Sequence, residues 1–395
     1  MARIVDMLMS RPAFILIASA QLLYFVYDVR SSILTYGTDV RCWNLPNITV
    51  TFALIPALYL ARQIDARMRS ALHELWLQGT LPNTADPGPT LQERILKGST
   101  HREIFSALLM MLVMIVSYAW SAPSLRLAVA TISDPLASAE MKRVILLSLF
   151  WPIAVGVLSG LVAGAFFGRL ATYGSAAAVL ASPDTTLNIR PGHFDGANGF
   201  RPVGDFYLYQ AVLTAIPLLW LSGWALATPW YHGSQCYAHP IDPAYTLRVS
   251  LQCYGQWLVV ACFTYVGFVR PVLKLRARLK RTRAELLAKR VPEIESEIVR
   301  LKTTLAGTPE EKARTSIEAR IHDLAREHWA IRTMSCWPMD KATFSKYAPL
   351  EILSNVVPIL VGPMLSVAQA QSGDQTMLPS ELLSRFGSFL RRIFL

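Results

Sequence analysis

The sequence predicts an all-α integral membrane protein with six transmembrane helices and a cytoplasmic antiparallel helical hairpin. The 395 residues are 53% hydrophobic and 16% charged, whereas soluble domains carry about 25% charged residues. Apolar stretches of spanning length recur along the first 270 residues, and a seam of apolar residues at coiled-coil spacing follows them. These observations favour a membrane bundle with a cytoplasmic extension.

Six apolar stretches carry the membrane prediction, because a helix of roughly 20 apolar residues crosses a bilayer core of about 30 Å. They occupy residues 13–27, 45–61, 104–122, 144–168, 206–227 and 249–269. A seventh stretch, residues 350–368, contains Glu351, Asn355 and two prolines. Whether this seventh stretch spans the membrane, re-enters it or lies in the interface stays open.

The distribution of lysine and arginine predicts the orientation. Residues 62–103 contain six of these cations and residues 270–290 contain nine, whereas residues 228–246 contain none. Because cationic loops stay in the cytoplasm, we expect a multi-pass protein of the bacterial inner membrane with its N-terminus inside. The same bias explains the net charge of +11 without a nucleic-acid partner. The predicted partner is the lipid bilayer.

This topology divides the chain into three segments. Residues 1–270 form the six-helix transmembrane domain, with cytoplasmic loops at 62–103 and 169–205. Residues 271–335 form the hairpin. Residues 336–395 are expected to be membrane-associated or re-entrant.

The hairpin prediction depends on two seams of mainly apolar residues spaced alternately four and three apart. They comprise Leu287, Val291, Ile294, Ile298, Leu301 and Leu305, and then Ile317, Ile321, Leu324, His328 and Ile331. Pro292 predicts a kink or a fresh helix start. Thr308, Pro309 and Glu311 predict the capped start of the second arm. The seams are expected to pair within the hairpin, to meet neighbouring subunits of a homo-oligomer, or to bind a cytoplasmic protein.

Small residues in the fourth stretch indicate close helix packing. Gly156, Gly160, Gly164 and Gly168 recur at every fourth position, which lets another helix approach at backbone distance. The other helix can belong to the same chain or to another subunit, and a pore-lining face is the third reading.

Cysteines on the predicted outer side suggest a disulfide in an oxidising periplasm, with Cys42–Cys236 and Cys236–Cys253 as the open pairings. His232 and His239 flank Cys236, but a zinc site usually needs a fourth ligand. No metal site and no cofactor are therefore predicted.

Charged residues are missing from all six predicted stretches. Intramembrane ionisable groups mark ion and proton pathways, so their absence argues against a pump and against an intramembrane protease. A passive pore stays open, because hydrophobic gating needs no charge.

The stretch "RPGHFDGANGFRPVGDFYL", residues 190–208, places charges and glycines just before the fifth stretch. It resembles a motif of uncharacterised polytopic bacterial membrane proteins, His-Pro-Asp-Gly-x-Gly-Gly-Leu followed by a further glycine before a membrane helix. The matching residues are His193, Asp195, Gly196, Gly199 and Gly204, and the departures are Phe194, Asn198 and Phe200. The resemblance implies a multi-pass membrane protein and no particular activity.

Three roles are open for this stretch, whose candidate residues are Arg190, His193, Asp195, Asn198, Arg201 and Asp205. As a structural latch, Asp195 and Asp205 cap turns or pair with Arg190 and Arg201. As a catalytic pair, His193 and Asp195 serve a metal-dependent hydrolase. As a ligand pocket, loop amides and the two arginines hold a phosphate.

The sequence thus favours a non-enzymatic, oligomeric membrane protein of pore-forming or signalling type with a cytoplasmic sensing hairpin. The alternatives are a membrane-bound enzyme using His193 and Asp195, and a scaffold subunit that binds a cytoplasmic partner through residues 271–335.

Overall fold

A computed structural model describes residues 10–36, 45–81, 88–97, 99–121, 138–182, 185, 187–231 and 243–339. Within these ranges the chain is helical and contains no strand. Numbered in chain order, the helices are α1 (Arg11–Tyr36), α2 (Leu45–Arg62), α3 (Ile64–Leu77), α4 (Gly88–Leu96), α5 (Ser99–Ser121), α6 (Ala139–Gly174), α7 (Ala176–Leu180), α8 (Arg201–Tyr231), α9 (Pro243–Thr264), the π segment (Tyr265–Val269), α10 (Arg270–Gly307) and α11 (Glu311–Arg332).

Five helical regions of the described chain are long and apolar enough to cross a membrane. They are Arg11–Leu34, Leu91–Val116, Val157–Leu180, Arg201–Trp224 and Gln252–Gly307. These regions are consistent with a multi-pass membrane protein. Helix α2, which has 18 residues and contains Pro56, is not among the five regions. The sixth span stays a prediction, and residues 350–368, Cys42, Cys236, His232 and His239 lie outside the described residues.

Helices α1 and α2 pack antiparallel. Gln21 donates a hydrogen bond to the Thr51 hydroxyl at 3.0 Å, and the Arg62 guanidinium lies 5.8 Å from the centre of the Phe14 ring. Helix α8 runs along the other side of α2, where the indole of Trp220 donates to the Thr49 hydroxyl at 3.1 Å. Helix α2 therefore has a neighbour on each side.

Helices α5 and α6 lie at backbone distance from each other. A Cβ atom added to Gly160 would lie 2.8 Å from the Met111 Cα, and one added to Gly164 would lie 2.2 Å from the Ser106 carbonyl oxygen. A Cβ atom on Gly168 would lie 2.6 Å from the Glu103 Cα. Hydrogen is thus the only side chain that fits at these three positions, and the partner helix belongs to the same chain. The side-chain surroundings of Gly156 lie outside the described part of α6.

Helix α9, the π segment and α10 form one uninterrupted helix from Pro243 to Gly307. The π segment has a local cause in Pro271, whose ring would clash with the carbonyl of Gly267 in a regular α-helix and which has no N–H to donate. An additional residue in the turn relieves this conflict. The last apolar helix of the bundle therefore continues directly into the first arm of the hairpin.

Helices α10 and α11 pair antiparallel around four buried residues, Val291, Ile294, Leu324 and Ile331. Three sequence expectations were wrong in detail. Leu287 is 36% exposed, and its neighbour Leu286 packs against the seam instead. Helix α10 continues through Pro292 without a break. Helix α11 begins at Glu311 with Glu310 as its N-cap, because Thr308 closes the end of α10.

Candidate functional site

Two polar elements lie where the bundle meets the hairpin. The first, which we call the ion-pair cluster, consists of Asp65, Glu103, Arg169 and Tyr173. The second, which we call the glycine loop, comprises residues 187–204 and leads into α8. Helix α3 supports both, since its apolar residues recur at helical spacing and bury one face in the core.

Arg169 is the centre of the ion-pair cluster. Its side chain has no exposed surface, and its Nε lies 2.8 Å from Oε1 of Glu103, which is equally buried. Its Nη1 lies 3.3 Å from Oδ2 of Asp65, whose side chain is 29% exposed. One arginine thus faces two carboxylates contributed by two other helices.

Tyr173 completes the cluster from the next turn of α6. Its hydroxyl donates a hydrogen bond to the Asp65 carboxylate, and its main-chain carbonyl accepts one from the Tyr207 hydroxyl at 3.2 Å. The cluster therefore joins α3, α5, α6 and α8. Removing one partner from a buried ion pair typically costs about 3–5 kcal/mol, so these contacts fix the relative positions of four helices.

Sequence patterns did not reveal this cluster, because Glu103 directly precedes the third predicted stretch and Arg169 directly follows the fourth. The third stretch began at residue 104 and the fourth ended at residue 168, whereas Glu103 and Arg169 lie inside the apolar helical regions Leu91–Val116 and Val157–Leu180. Two apolar helical regions therefore contain ionisable residues, and the absence of charge from the predicted stretches no longer excludes an ion or proton pathway. The sequence offered one indication of the cluster, because Arg169 directly follows Gly168, the last of the regularly spaced glycines.

Backbone geometry explains the composition of the glycine loop. Gly192, Gly196 and Gly199 have φ values of +72°, +69° and +90°, and Asn198 has φ of +58°. Glycine adopts positive φ without steric cost, and asparagine is among the few other residues that tolerate it. Asn198, which replaces a glycine of the resembled motif, thus adopts a backbone conformation that glycine also adopts.

Asp195 organises the loop from within. One of its oxygens accepts from the amides of Ala197 at 2.9 Å and Gly199 at 3.0 Å, and the other accepts from the amide of Arg201, the first residue of α8, at 3.2 Å. Burial acts to raise the pKa of Asp195. The bonds from the Gly199 and Ala197 amides, the His193 side chain and the Arg201 amide outweigh burial and hold this pKa below its ordinary value.

His193 and Asp195 are close together, with 2.9 Å between His193 Nδ1 and Asp195 Oδ1. The two oxygens of Asp195 also accept three main-chain hydrogen bonds, so this carboxylate stabilises the turn. In the described ranges, no three His, Cys, Asp or Glu side chains are grouped so that they could hold a metal ion. The geometry is therefore that of a folded turn.

The two arginines of the loop have other neighbours than Asp195. The Arg201 guanidinium lies 3.7 Å from Asp205, and both side chains are half exposed. With the Asn188 amide oriented so that its oxygen faces Arg190, that oxygen accepts from Nε and Nη2 at 3.1 and 3.0 Å. Asp195 therefore meets the main chain of Arg201, where the latch hypothesis also considered the side chain.

The glycine loop is attached to α3 on one side. The main-chain N–H of Asn188 donates to the Thr80 carbonyl at 2.8 Å. The Thr80 hydroxyl donates to the Gly199 carbonyl at 3.3 Å. A Cβ atom on Gly199 would lie 2.2 Å from that hydroxyl. Thr80 follows the end of α3 closely, so the loop is held against the same helix that carries Asp65.

The base of the hairpin contacts the other side of the loop. The Asn198 side-chain amide donates to the Ser335 carbonyl at 2.7 Å. A Cβ atom on Gly192 would lie 2.9 Å from the Ala330 Cβ, and one on Gly204 would lie 2.0 Å from the Pro338 carbonyl oxygen. The loop thus lies between the bundle and the hairpin and touches both at backbone distance.

No protein-family model, curated protein or solved structure matches this chain. The ion-pair cluster and the glycine loop carry the functional argument through their geometry. Both elements hold helices in position through buried polar contacts.

Proposed function

We propose that this chain is a non-enzymatic, oligomeric integral membrane protein of the signalling or effector type, in which the cytoplasmic hairpin and the membrane bundle change conformation together. The observation that supports the proposal is the uninterrupted helix from Pro243 to Gly307. It packs against α8 in the bundle and against α11 in the hairpin. A displacement of the hairpin is therefore also a displacement of a membrane helix.

The glycine loop supports the proposal as a second connection. It contacts the base of the hairpin through Gly192 and Asn198, and it continues directly into α8. Hairpin motion therefore reaches the bundle through α8 as well as through α9. The ion-pair cluster holds α3, α5 and α6 beside these two helices.

The proposal includes α2 as a sixth span, with the N-terminus in the cytoplasm of a bacterial cell. Its support is the contact of α2 with α1 and α8 from Thr49 to Arg62, together with the cationic segments. Cysteine labelling in intact cells tests the topology. A cysteine at Ser234 should react from outside, and one at Thr308 should react only after permeabilisation. External labelling at Thr308 would reverse the orientation.

Hydrogen exchange tests the coupling in protein reconstituted into nanodiscs. Asn198→Gly keeps the positive φ and removes only the side-chain bond to Ser335, because glycine adopts this conformation freely. We expect faster amide exchange both in the last turn of α11 and in the first turns of α8. Faster exchange confined to residues 197–199 would contradict coupling. Gly307→Ala, at a position with open space around the glycine, is the control.

The output and the oligomeric state need separate measurements. Mass photometry of the nanodisc-embedded protein should give a mass of two or more chains per particle. A mass of one chain per particle would contradict the proposed oligomer. Efflux of a trapped dye from proteoliposomes separates the pore-forming form of the proposal from the signalling form. The enzyme alternative, a metal-dependent hydrolase using His193 and Asp195, has the weaker support, because among the described residues no third His, Cys, Asp or Glu joins this pair.

A further inference from the structure

Gln210 in α8 is a buried polar side chain that the contacts above leave unexplained. Only 1% of its surface is exposed. In the part of the chain that the structure describes, neither its amide oxygen nor its amide nitrogen has a hydrogen-bond partner. Buried polar groups in native proteins are almost always paired with protein or with ordered water, so the amide indicates a bound molecule.

The surroundings of Gln210 follow from its place on α8. It lies one helical turn after Phe206 and Tyr207 and shares their face of the helix. Phe206 packs edge-on against the ring of Tyr173 in α6, and Tyr207 donates to the Tyr173 carbonyl. Helical side chains lean toward the N-terminus, so the Gln210 side chain lies over the turn of α8 that carries Phe206 and Tyr207.

The π segment presents a main-chain acceptor to α6 at Gly174, the residue that directly follows Tyr173. Its register is set by the amide of Arg270, which donates to the Tyr265 carbonyl. The next donor in that register would be Pro271, which has no N–H, so the Val266 carbonyl receives no bond from it. A Cβ atom on Gly174 would lie 2.4 Å from this carbonyl oxygen, which is therefore directed at α6. The π segment also packs against α8.

We propose that the junction of α6, α8 and the π segment binds water between the Gln210 amide and the main-chain carbonyls of the π segment. Water fits because it accepts from the amide nitrogen and donates to the amide oxygen or to the Val266 carbonyl. A cation would satisfy only the oxygen, and an anion only the nitrogen. The site does not depend on the signalling role proposed above.

Hydroxyl-radical footprinting with X-ray pulses tests this site, because radicals form from the bound water itself and modify adjacent side chains. In nanodiscs, Phe206 and Tyr207 should be modified although they are 3% and 0% exposed. Gln210→Leu should lose this modification. The matched control, Ser222→Ala, removes a buried hydroxyl that bonds within its own helix at 2.7 Å, and it should keep the modification.

Absence of the modification in the parent protein, or equal modification in Gln210→Leu, would overturn the proposal. Should Gln210→Leu not yield a monodisperse protein, Gln210→Met gives the same comparison with a flexible apolar side chain. A melting temperature that rises with sodium over choline at equal ionic strength, in the parent and not in the variant, would assign the site to a cation and overturn the proposal for water.

Discussion

The ion-pair cluster and the hairpin use the same residue types in opposite surroundings. Arg169 and Glu103 lie 2.8 Å apart with no exposed side-chain surface, whereas Arg290 and Glu327, also 2.8 Å apart, are 36% and 41% exposed. Equal distances conceal unequal energies, because water solvates and screens the exposed pair but is excluded from the buried one. The bundle therefore depends on each member of its cluster, while the hairpin tolerates the loss of a pair.

The largest expected effect is that of Arg169→Leu. The change leaves the Glu103 carboxylate buried without its cation, and it should lower the free energy of unfolding by about 3–5 kcal/mol. Thermal melting in a fixed detergent measures the loss. Adding Glu103→Leu and Asp65→Asn to Arg169→Leu should recover part of the stability, because no buried charge then remains. A triple variant as unstable as Arg169→Leu would refute the electrostatic explanation.

Asp195→Asn should have the next largest effect. The amide replaces one acceptor oxygen by a donor, so a main-chain amide of the glycine loop loses its charged partner, at about 1.5–3 kcal/mol. Neutralising Arg190 in addition should recover nothing, because Asp195 bonds main-chain amides. Recovery would show that the arginine side chain is the true partner. The measurement is again the melting temperature.

The same residue gives a pH dependence. The pKa of Asp195 in the folded protein lies below its ordinary value of 3.8, so its carboxylate stabilises the fold above that pH. This contribution is lost as the pH falls through the folded-state pKa, where the unfolded chain already binds the proton. The difference in melting temperature between the parent and Asp195→Asn should therefore shrink as the pH is lowered from 5 toward about 3. A constant difference would contradict this assignment.

Gly164→Ala and Gly223→Ala compare a glycine at the close contact of α5 and α6 with a glycine that has open space around it. The new methyl group would lie 2.2 Å from the Ser106 carbonyl oxygen, so α5 and α6 must separate, at a cost of about 1–3 kcal/mol. Gly223→Ala in α8 meets nothing within 4 Å, and it should be neutral or stabilising. Equal melting temperatures for the two variants would mean that α5 and α6 are not in close contact.

The smallest effect is expected in the hairpin. Arg290→Ala removes the bonds to Glu293 and Glu327 and should cost at most about 1 kcal/mol. Salt should reduce this cost, since the screening length falls from about 10 Å at 0.1 M to about 3 Å at 1 M ionic strength. The effect of Arg169→Leu should persist at the same salt concentration. A hairpin variant as damaging as the cluster variant would remove the distinction between the two regions.

Local sequence patterns predicted the all-helical fold, because helical periodicity is a property of neighbouring residues. Val291, Ile294, Leu324 and Ile331 are buried as the seams required. Periodicity could not decide between Leu286 and Leu287, which are adjacent and equally apolar. It also allowed a fresh helix start at Pro292, whereas α10 continues through this residue.

The candidate site was harder to predict because its contacts are distant in the chain. Asp65 and Arg169 are 104 residues apart, and nothing in either segment alone indicates the other. The glycine loop was accessible in part, since glycines at positive φ follow from its composition. Its partners Thr80 and Ser335 come from other segments and carry no sequence signal of their own.

The π segment also sets a rotational phase. Each residue of an α-helix turns the side-chain direction by about 100°, and a π turn holds roughly one residue more than an α turn. All of α10 is therefore rotated about its axis relative to the direction that a regular helix would give it. Deleting one residue from Tyr265–Val269 would leave the hairpin seam intact in sequence and turn Val291 and Ile294 away from α11. The rotational orientation of α10 is thus fixed by five residues at the end of the apolar helix α9.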